Sequence, residues 1–399
     1  MGDSQEQSSL LEATADHLET QGEYESANVY WELSAKWHLR SGDKEAAKES
    51  QIRAVECWYK LAEQAKSRGI ASTFYMRALV ASRQIPGTEK RREELHQLLL
   101  EAQQESTAEL GTFSTNIGVE NAKEQARKAV SNKLINEAIQ ALAFITKPST
   151  RKELEEGVKS SAQVAPLQAI ARATAINAMG KIIGQKPSAI EDEEGAFLYE
   201  LHQTANFNRH FAVVNSIEPA REQILMEHYI RINDLFFFLN YNPFIPPRRI
   251  WTYAKGLYAG FRGDFMVAVN LLIPQLEESM RYILWQKGVI TSGLDSYLIQ
   301  HERNLNAVLA EAQYRTNVAE MIGEDLTFDL QSLLIDVRGA NLRNDVAHGL
   351  LDDSDFFHPQ SIYFWWVTLR LCCLWFLTTL PEDVNKNKQK ENPKSEKTR

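Results

Sequence analysis

Between Arg343 and His348 the chain gathers a guanidinium, an amide, a carboxylate and an imidazole within six positions. They lie inside the string Arg338-Gly339-Ala340-Asn341-Leu342-Arg343-Asn344-Asp345-Val346-Ala347-His348-Gly349-Leu350-Leu351. On a helix, Asn344 and His348 stand at i and i+4 and share a face, and Arg343 beside them is long enough to reach the same point. Such a set suits phosphate chemistry. Arginine offers a planar fork of donors that matches phosphate oxygens, and histidine, with an ordinary pKa of about 6.5, takes and returns a proton near neutrality. Together they could cleave RNA without a metal, His348 accepting the 2′-hydroxyl proton while Arg343 stabilises charge on the phosphorane; DNA, lacking that hydroxyl, is spared. The bare spacing is not specific, because Arg91 and His96 repeat it in an ordinary charged helix. The competing reading is a hydrogen-bond network of Arg343, Asn344, Asp345 and His348 that ties a bundle together.

Other chemistry is absent from the sequence. There is no P-loop, no Gly-x-Ser-x-Gly turn, no His-Glu-x-x-His and no glycine-rich dinucleotide turn. The acids Glu191, Asp192, Glu193 and Glu194 read as the dipole-matched opening of a helix, so neither a metal nor a cofactor is expected. Arg248 and Arg249 stand as candidates for a basic, substrate-binding rim, with a solvated loop as the blander reading. A net charge of −9 opposes bulk coating of a polyanion, so any nucleic-acid contact must be a local basic patch. The acids Asp345, Asp352, Asp353 and Asp355 crowd the motif with like charge.

The elements that must position the motif read as helices throughout, and an all-α fold is predicted. Ala54, Cys57, Trp58, Leu61 and Ala65 recur at offsets of three and four, one face of a helical period. Gly22-Glu23 and Gly42-Asp43 look like repeated helix punctuation, and Ala27, Tyr30, Ala46 and Ala47 near them resemble tetratricopeptide-like hairpins. The expected domains are helical hairpins over 1–107, a helical middle over 108–245, a C-terminal bundle over 246–380 and a disordered tail over 381–399. Two helices are expected between Ala196 and Asn240, the second ending in the apolar block Leu235–Leu239. Pro246 and Pro247 are placed at the first turn of the helix that follows. From Asp264 a long helix turns Phe265, Val269, Leu272, Leu276 and Ile283 inward and sets Glu277 four residues before Arg281. Leu330, Leu333, Leu334 and Val337 mark another helix ending near Gly339.

Residues 362–380 are apolar enough to be weighed as a membrane span, but Arg370 at the centre favours a buried bundle helix. The opening residues carry no basic or apolar leader, and Cys57, Cys372 and Cys373 follow no metal or disulfide spacing. A cytoplasmic protein is expected.

The string Arg343-Asn344-Asp345-Val346-Ala347-His348-Gly349, preceded by Gly339-Ala340-Asn341-Leu342, resembles the Arg-Asn-x-x-x-His-Gly signature of a widespread domain of unknown function. Gly256-Leu257-Tyr258-Ala259-Gly260-Phe261-Arg262-Gly263-Asp264-Phe265 and Leu271–Glu277 with Arg281 resemble it as well, and in the same order. That domain is similar to the HEPN superfamily, all-helical domains whose active members are metal-independent ribonucleases. The resemblance covers roughly residues 190–380. It implies Arg343 as the phosphate-binding cation, His348 as the general acid/base and Asn344 as the group orienting one of them, with Glu277, Arg281 and Asp345 in support. It also implies a homodimer pairing two motifs, RNA as substrate, and a toxin or stress and defence role by family analogy. The alternative is a non-catalytic nucleotide- or protein-binding module in which Arg343, Asn344 and His348 are structural and the N-terminal hairpins hold a protein partner.

Overall fold

The computed structural model describes residues 2–109, 120–176 and 181–378. The tail expected to be disordered, 381–399, lies outside the described residues. The all-α class holds: helices make up most of the described chain, with two short two-stranded sheets among the turns and loops that join them. The chain divides into two compact units, Met1–Thr115 with Thr174–Gln185, and Asn116–Ala173 with Lys186–Arg399.

In the first unit five helices follow one another, α1 Gly2–Thr20, α2 Tyr24–Ser41, α3 Lys44–Gln64, α4 Arg68–Ser82 and α5 Glu89–Ser106, each packed on the next as a stack of helical hairpins. The turn between α2 and α3 shows why the chain reverses there. Gly42 takes a left-handed φ of 86°, which costs a residue without Cβ almost nothing, and this lets the Asp43 N–H reach back to the His38 carbonyl at 3.0 Å. The Asp43 carboxylate then accepts from the Ala46 N–H and opens α3. Ala54 and Cys57 bury against Ala15, Ala27 and Trp31, so the face read from their spacing is the packed one. Burial pushes the Cys57 thiol up to about 12, helped by the neighbouring Glu19 carboxylate, so it is an inert core sulfur.

The second unit contains α6 Glu120–Val130, α7 Ile135–Ala143, α8 Arg151–Val164, α9 Pro166–Ile170, α10 Glu193–Ala212, α11 Glu218–Glu227 and α12 Phe236–Leu239. It continues with α13 Ile250–Phe261, α14 Phe265–Gln286, α15 Leu305–Ala310, α16 Ala312–Ile322, α17 Glu324–Leu334, α18 Leu342–Ala347 and α19 Pro359–Thr378. The hairpin before α15 pairs Ser292–Leu294 with Gln300–Glu302, antiparallel, Ser292 opposite Glu302.

α19 fills the core. It is the one described helix long and apolar enough to cross a membrane, and most of it is covered by the rest of the unit. Trp365 and Trp366 are fully buried with their indole N–H groups satisfied, Trp365 donating to the Leu257 carbonyl at 3.0 Å and Trp366 to the Leu142 carbonyl at 2.9 Å. α13 approaches closely because Gly260 faces the Trp365 ring; a Cβ there would sit 2.2 Å from an indole carbon. Arg370, the charge at mid-helix, donates to the carbonyls of Ala143 and Thr146 at the C-terminal end of α7 and lies over the Phe144 ring. The partial negative charge of a helix C-terminus and an aromatic face together offset its burial.

Three local expectations are corrected. The helix from Glu218 stops at Glu227 rather than running through Leu239: His228 turns extended, Ile230 is buried by that extended stretch, and the Phe236–Leu239 block forms its own short turn. Pro246 and Pro247 precede α13 instead of entering it, since Arg249 is the cap residue. Val337 lies outside α17 and is exposed, because the chain turns at Ile335 to bring Gly339 back onto Ser332.

Candidate functional site

The motif is built where α18 docks on α14. Asp264 caps α14 by accepting from the Val267 N–H, and Phe265, Val269, Leu272, Leu276 and Ile283 all bury their side chains as their spacing predicts. That fixes the helix so that Glu277 and Arg281 pair one turn apart, Arg281 Nη1 donating to Glu277 Oε1 at 2.9 Å. The other oxygen, Glu277 Oε2, accepts from both Nε and Nη2 of Arg343 at 3.2 and 3.1 Å. Arg343 Nη1 donates to Asn344 Oδ1 at 3.1 Å, and the Asn344 amide donates to Asn341 Oδ1 at 2.7 Å. Asn341, left-handed at φ 49°, donates in turn to Asp345 at 2.9 Å. One continuous chain of polar contacts therefore runs from Arg281 through Glu277, Arg343, Asn344 and Asn341 to Asp345.

Six of the residues singled out from the sequence, Arg343, Asn344, His348, Glu277, Arg281 and Asp345, are thus gathered in one place. His348 follows the last turn of α18, its backbone N–H bonded to the Asn344 carbonyl at 3.0 Å, so the i and i+4 relation holds. Its ring is exposed and makes no side-chain hydrogen bond among the described residues. Burial pushes the Asp345 carboxyl above the usual aspartate value; the Asn341 amide and His348 oppose the rise and Asp355 adds to it. Arg248 and Arg249 are exposed on the loop before α13, and no side-chain hydrogen bond or ion pair links either to this chain of contacts.

A second polar cluster, invisible in the sequence, holds the motif loop from behind. His202 on α10 meets Ser332 of α17 with Nδ1 and Oγ 2.9 Å apart, while its Nε2 lies 3.4 Å from Asp336. Asp336 receives a fork from Arg338, and Gln203 donates to the Arg338 carbonyl at 2.7 Å. Serine, histidine and aspartate in a row suggest a hydrolytic triad, but Ser332 and His202 are fully buried and no substrate reaches the hydroxyl. They brace the loop. Gly339 completes the brace: a Cβ there would lie 1.9 Å from the Ser332 carbonyl oxygen, which already accepts from the Ala340 N–H at 2.9 Å. Nearby, Asp329 accepts from Arg209 and Tyr363, both at 2.9 Å, joining α10, α17 and α19. Arg209 and Asp329 stand 120 residues apart, His202 and Ser332 130, and Tyr363 and Asp329 34, all beyond any pattern of local spacing.

The other Arg-x4-His pair is a useful control. Arg91 donates from Nε and Nη2 to the two oxygens of Glu56, at 2.9 and 2.8 Å, and His96 is exposed. An arginine held by a glutamate beside an exposed histidine therefore occurs twice in this protein. The first copy lacks the amide relay of Asn341 and Asn344 and the left-handed residue that opens the motif helix. Among the described residues, no three His, Cys, Asp or Glu side chains converge as metal ligands, and Asp192 caps α10 by accepting from the Gly195 N–H.

Compared with known proteins, the chain matches no family model, and no curated protein or solved structure is significantly similar to it.

Proposed function

We propose that the second unit is a metal-independent endoribonuclease centre of HEPN type, in which Arg343 binds phosphate, Asn344 orients it and His348 is the general acid/base. The observation that carries this reading is the division of labour within the motif. Arg343, Asn344, Asn341 and Asp345 are all hydrogen-bonded to one another or to α14, whereas His348 presents an exposed imidazole beside them that makes no side-chain hydrogen bond among the described residues. A guanidinium already held in place needs little reorganisation to meet developing charge, and a proton-transfer group must be able to touch its substrate. RNA as substrate, a toxin or defence role, a second copy of the chain pairing its motif with this one, and a protein partner on the N-terminal hairpins belong to the same proposal.

One observation favours the non-catalytic reading. Glu277 takes two of the Arg343 donors and offsets its charge, as Glu56 does for Arg91. Under that reading Arg343 and Asn344 are struts of a nucleotide- or protein-binding module. The two readings separate on RNA cleavage by purified full-length protein in chelator, beside His348→Ala and Arg343→Ala proteins. The nuclease reading expects cyclic-phosphate ends from wild type, none from His348→Ala, and an unchanged melting curve for His348→Ala. Intact RNA with wild type supports the module instead.

A further inference from the structure

From Leu235 to Gly263 the chain carries Arg248, Arg249, Lys255 and Arg262 and neither Asp nor Glu, in a protein whose net charge is −9. All four cations are exposed, and none has a carboxylate partner among the described residues. α13 arranges half of them with aromatic rings. Trp251, Lys255, Tyr258 and Arg262 fall at i, i+4, i+7 and i+11, a single stripe along the helix in which Trp251, Lys255 and Arg262 are exposed and Tyr258 is half-buried against the core. Tyr253, Ala254, Leu257 and Phe261 bury the inner face. Trp251 keeps 58% of its surface exposed and is steadied by a T-shaped contact with Phe236, ring centroids 4.8 Å apart.

At the head of that stripe lies a cleft of about 340 Å³ lined by Phe236, Asn240, Arg248, Ile250 and Trp251. The Asn240 side-chain amide makes no hydrogen bond among the described residues, so it is available to a base edge. Two of the five described non-glycine residues with positive φ are Arg248 at 67°, which lines this cleft, and Tyr241 at 58°, which follows Asn240 in the chain. Both are exposed, Tyr241 at 96%, so the strained turns hold side chains outward rather than into the core.

We infer that the outer face of α13 and the cleft at its start form a binding platform for single-stranded RNA, with a base stacked on Trp251, its edge met by Asn240, and the backbone phosphates met by Arg248, Arg249, Lys255 and Arg262. An exposed ring beside unpaired cations is what a flexible, unpaired strand requires: a base has a face to stack on, and the phosphates have charges to neutralise them. A membrane surface or an acidic protein segment would use the cations but gives no role to a cleft with a free amide. The platform connects to the motif through the packing of α13 on α14, where the Tyr253 hydroxyl donates to the Gln275 carbonyl at 3.0 Å, two residues before Glu277. The inference rests on the RNA-directed reading of that motif and names where its substrate is held.

The test is fluorescence anisotropy of a labelled, unstructured 2′-O-methyl oligoribonucleotide of about 12 nucleotides with the full-length protein across a salt series. That probe lacks the hydroxyl the proposed chemistry attacks, so binding is read without cleavage. Trp251→Ala should weaken binding about tenfold with the salt slope unchanged. The Arg248→Ala/Arg249→Ala protein should weaken it further and make the slope of log affinity against log salt shallower by about 1.4. Melting curves should be unchanged for both, since the replaced side chains are exposed, and Lys152→Ala on α8 should bind like wild type. No binding by wild type, or equal binding by all variants, overturns the inference. So does capture of anionic phosphatidylserine vesicles that the same variants abolish while RNA is not bound. RNA binding lost in these variants, with no cleavage by any protein, supports the platform and removes the nuclease. Cleavage that depends on His348, with RNA binding untouched in these variants, removes the platform and leaves the nuclease.

Discussion

Replacing Glu277 by alanine should destabilise the second unit more than replacing Arg343, although the two side chains share the same bonds. Both are mostly buried, Arg343 at 19% and Glu277 at 15% side-chain exposure. Arg343→Ala deletes two charge-assisted bonds, but Glu277 keeps Arg281 on its other oxygen, so no charge is stranded. The expected cost is about 2 kcal/mol. Glu277→Ala frees two guanidinium groups. Arg281 retains Glu278, with Nη2 to Oε2 at 2.6 Å, whereas Arg343 retains only the neutral Asn344 amide oxygen. A largely buried, uncompensated cation costs about 3–5 kcal/mol, and the residual exposure places this one near the lower end. The double variant removes the stranded charge with its partner, so it should cost at least about 1 kcal/mol less than the two single losses together. Urea unfolding of the full-length proteins, followed by hydrogen exchange in peptides from α14, measures all three. An Arg343→Ala loss equal to or above that of Glu277→Ala, or a strictly additive double variant, would refute the account of Glu277 as the hub.

Acid should loosen the brace behind the motif. Burial pushes the His202 imidazole down to about 4, Asp336 opposing and Arg338 and Arg209 adding to the fall, while the unfolded chain protonates near 6.5. Between those values the unfolded state binds a proton that the native state refuses. Stability present above pH 6.5 is therefore lost as pH falls toward 4, by up to about 3 kcal/mol. His202→Asn should flatten this part of the curve of urea midpoint against pH, and an unchanged slope would count against the assignment. Gly339→Ala must push a methyl into the Ser332 carbonyl, with a Cβ to oxygen distance of 1.9 Å, and should cost about 3 kcal/mol or more by thermal melting. A melting temperature within a degree of wild type would mean the loop has room to move. Arg370→Met should lower stability by about 2 kcal/mol, because the carbonyls of Ala143 and Thr146 lose their shared donor. Parallel loss of protection in α7 and α19 by hydrogen exchange would show where.

The helical class, the turn at Gly42-Asp43, the inward face of α14 and the pairing of Glu277 with Arg281 were determined by the sequence alone. Each depends on residues within four positions of one another, where helical period, capping and left-handed glycine leave little choice. The motif was legible in the same way, as a run of six positions. Its duplicate at Arg91 and His96 was equally legible, and spacing could not rank them. Only the tertiary structure decided that Arg343 answers to Glu277, 66 residues earlier, and joins an amide relay that Arg91 lacks. It alone decided that His202, Ser332 and Asp336 brace the loop, that the chain extends at His228 where propensity allowed a helix, and that Arg248 lines a cleft with Phe236 and Trp251. The reason is physical. Local structure is set by torsions and short-range hydrogen bonds that each segment carries with it. A buried ion pair or a polar brace forms only when packing removes water from two distant segments at once, and the desolvation that makes such contacts decisive has no signature in either segment alone.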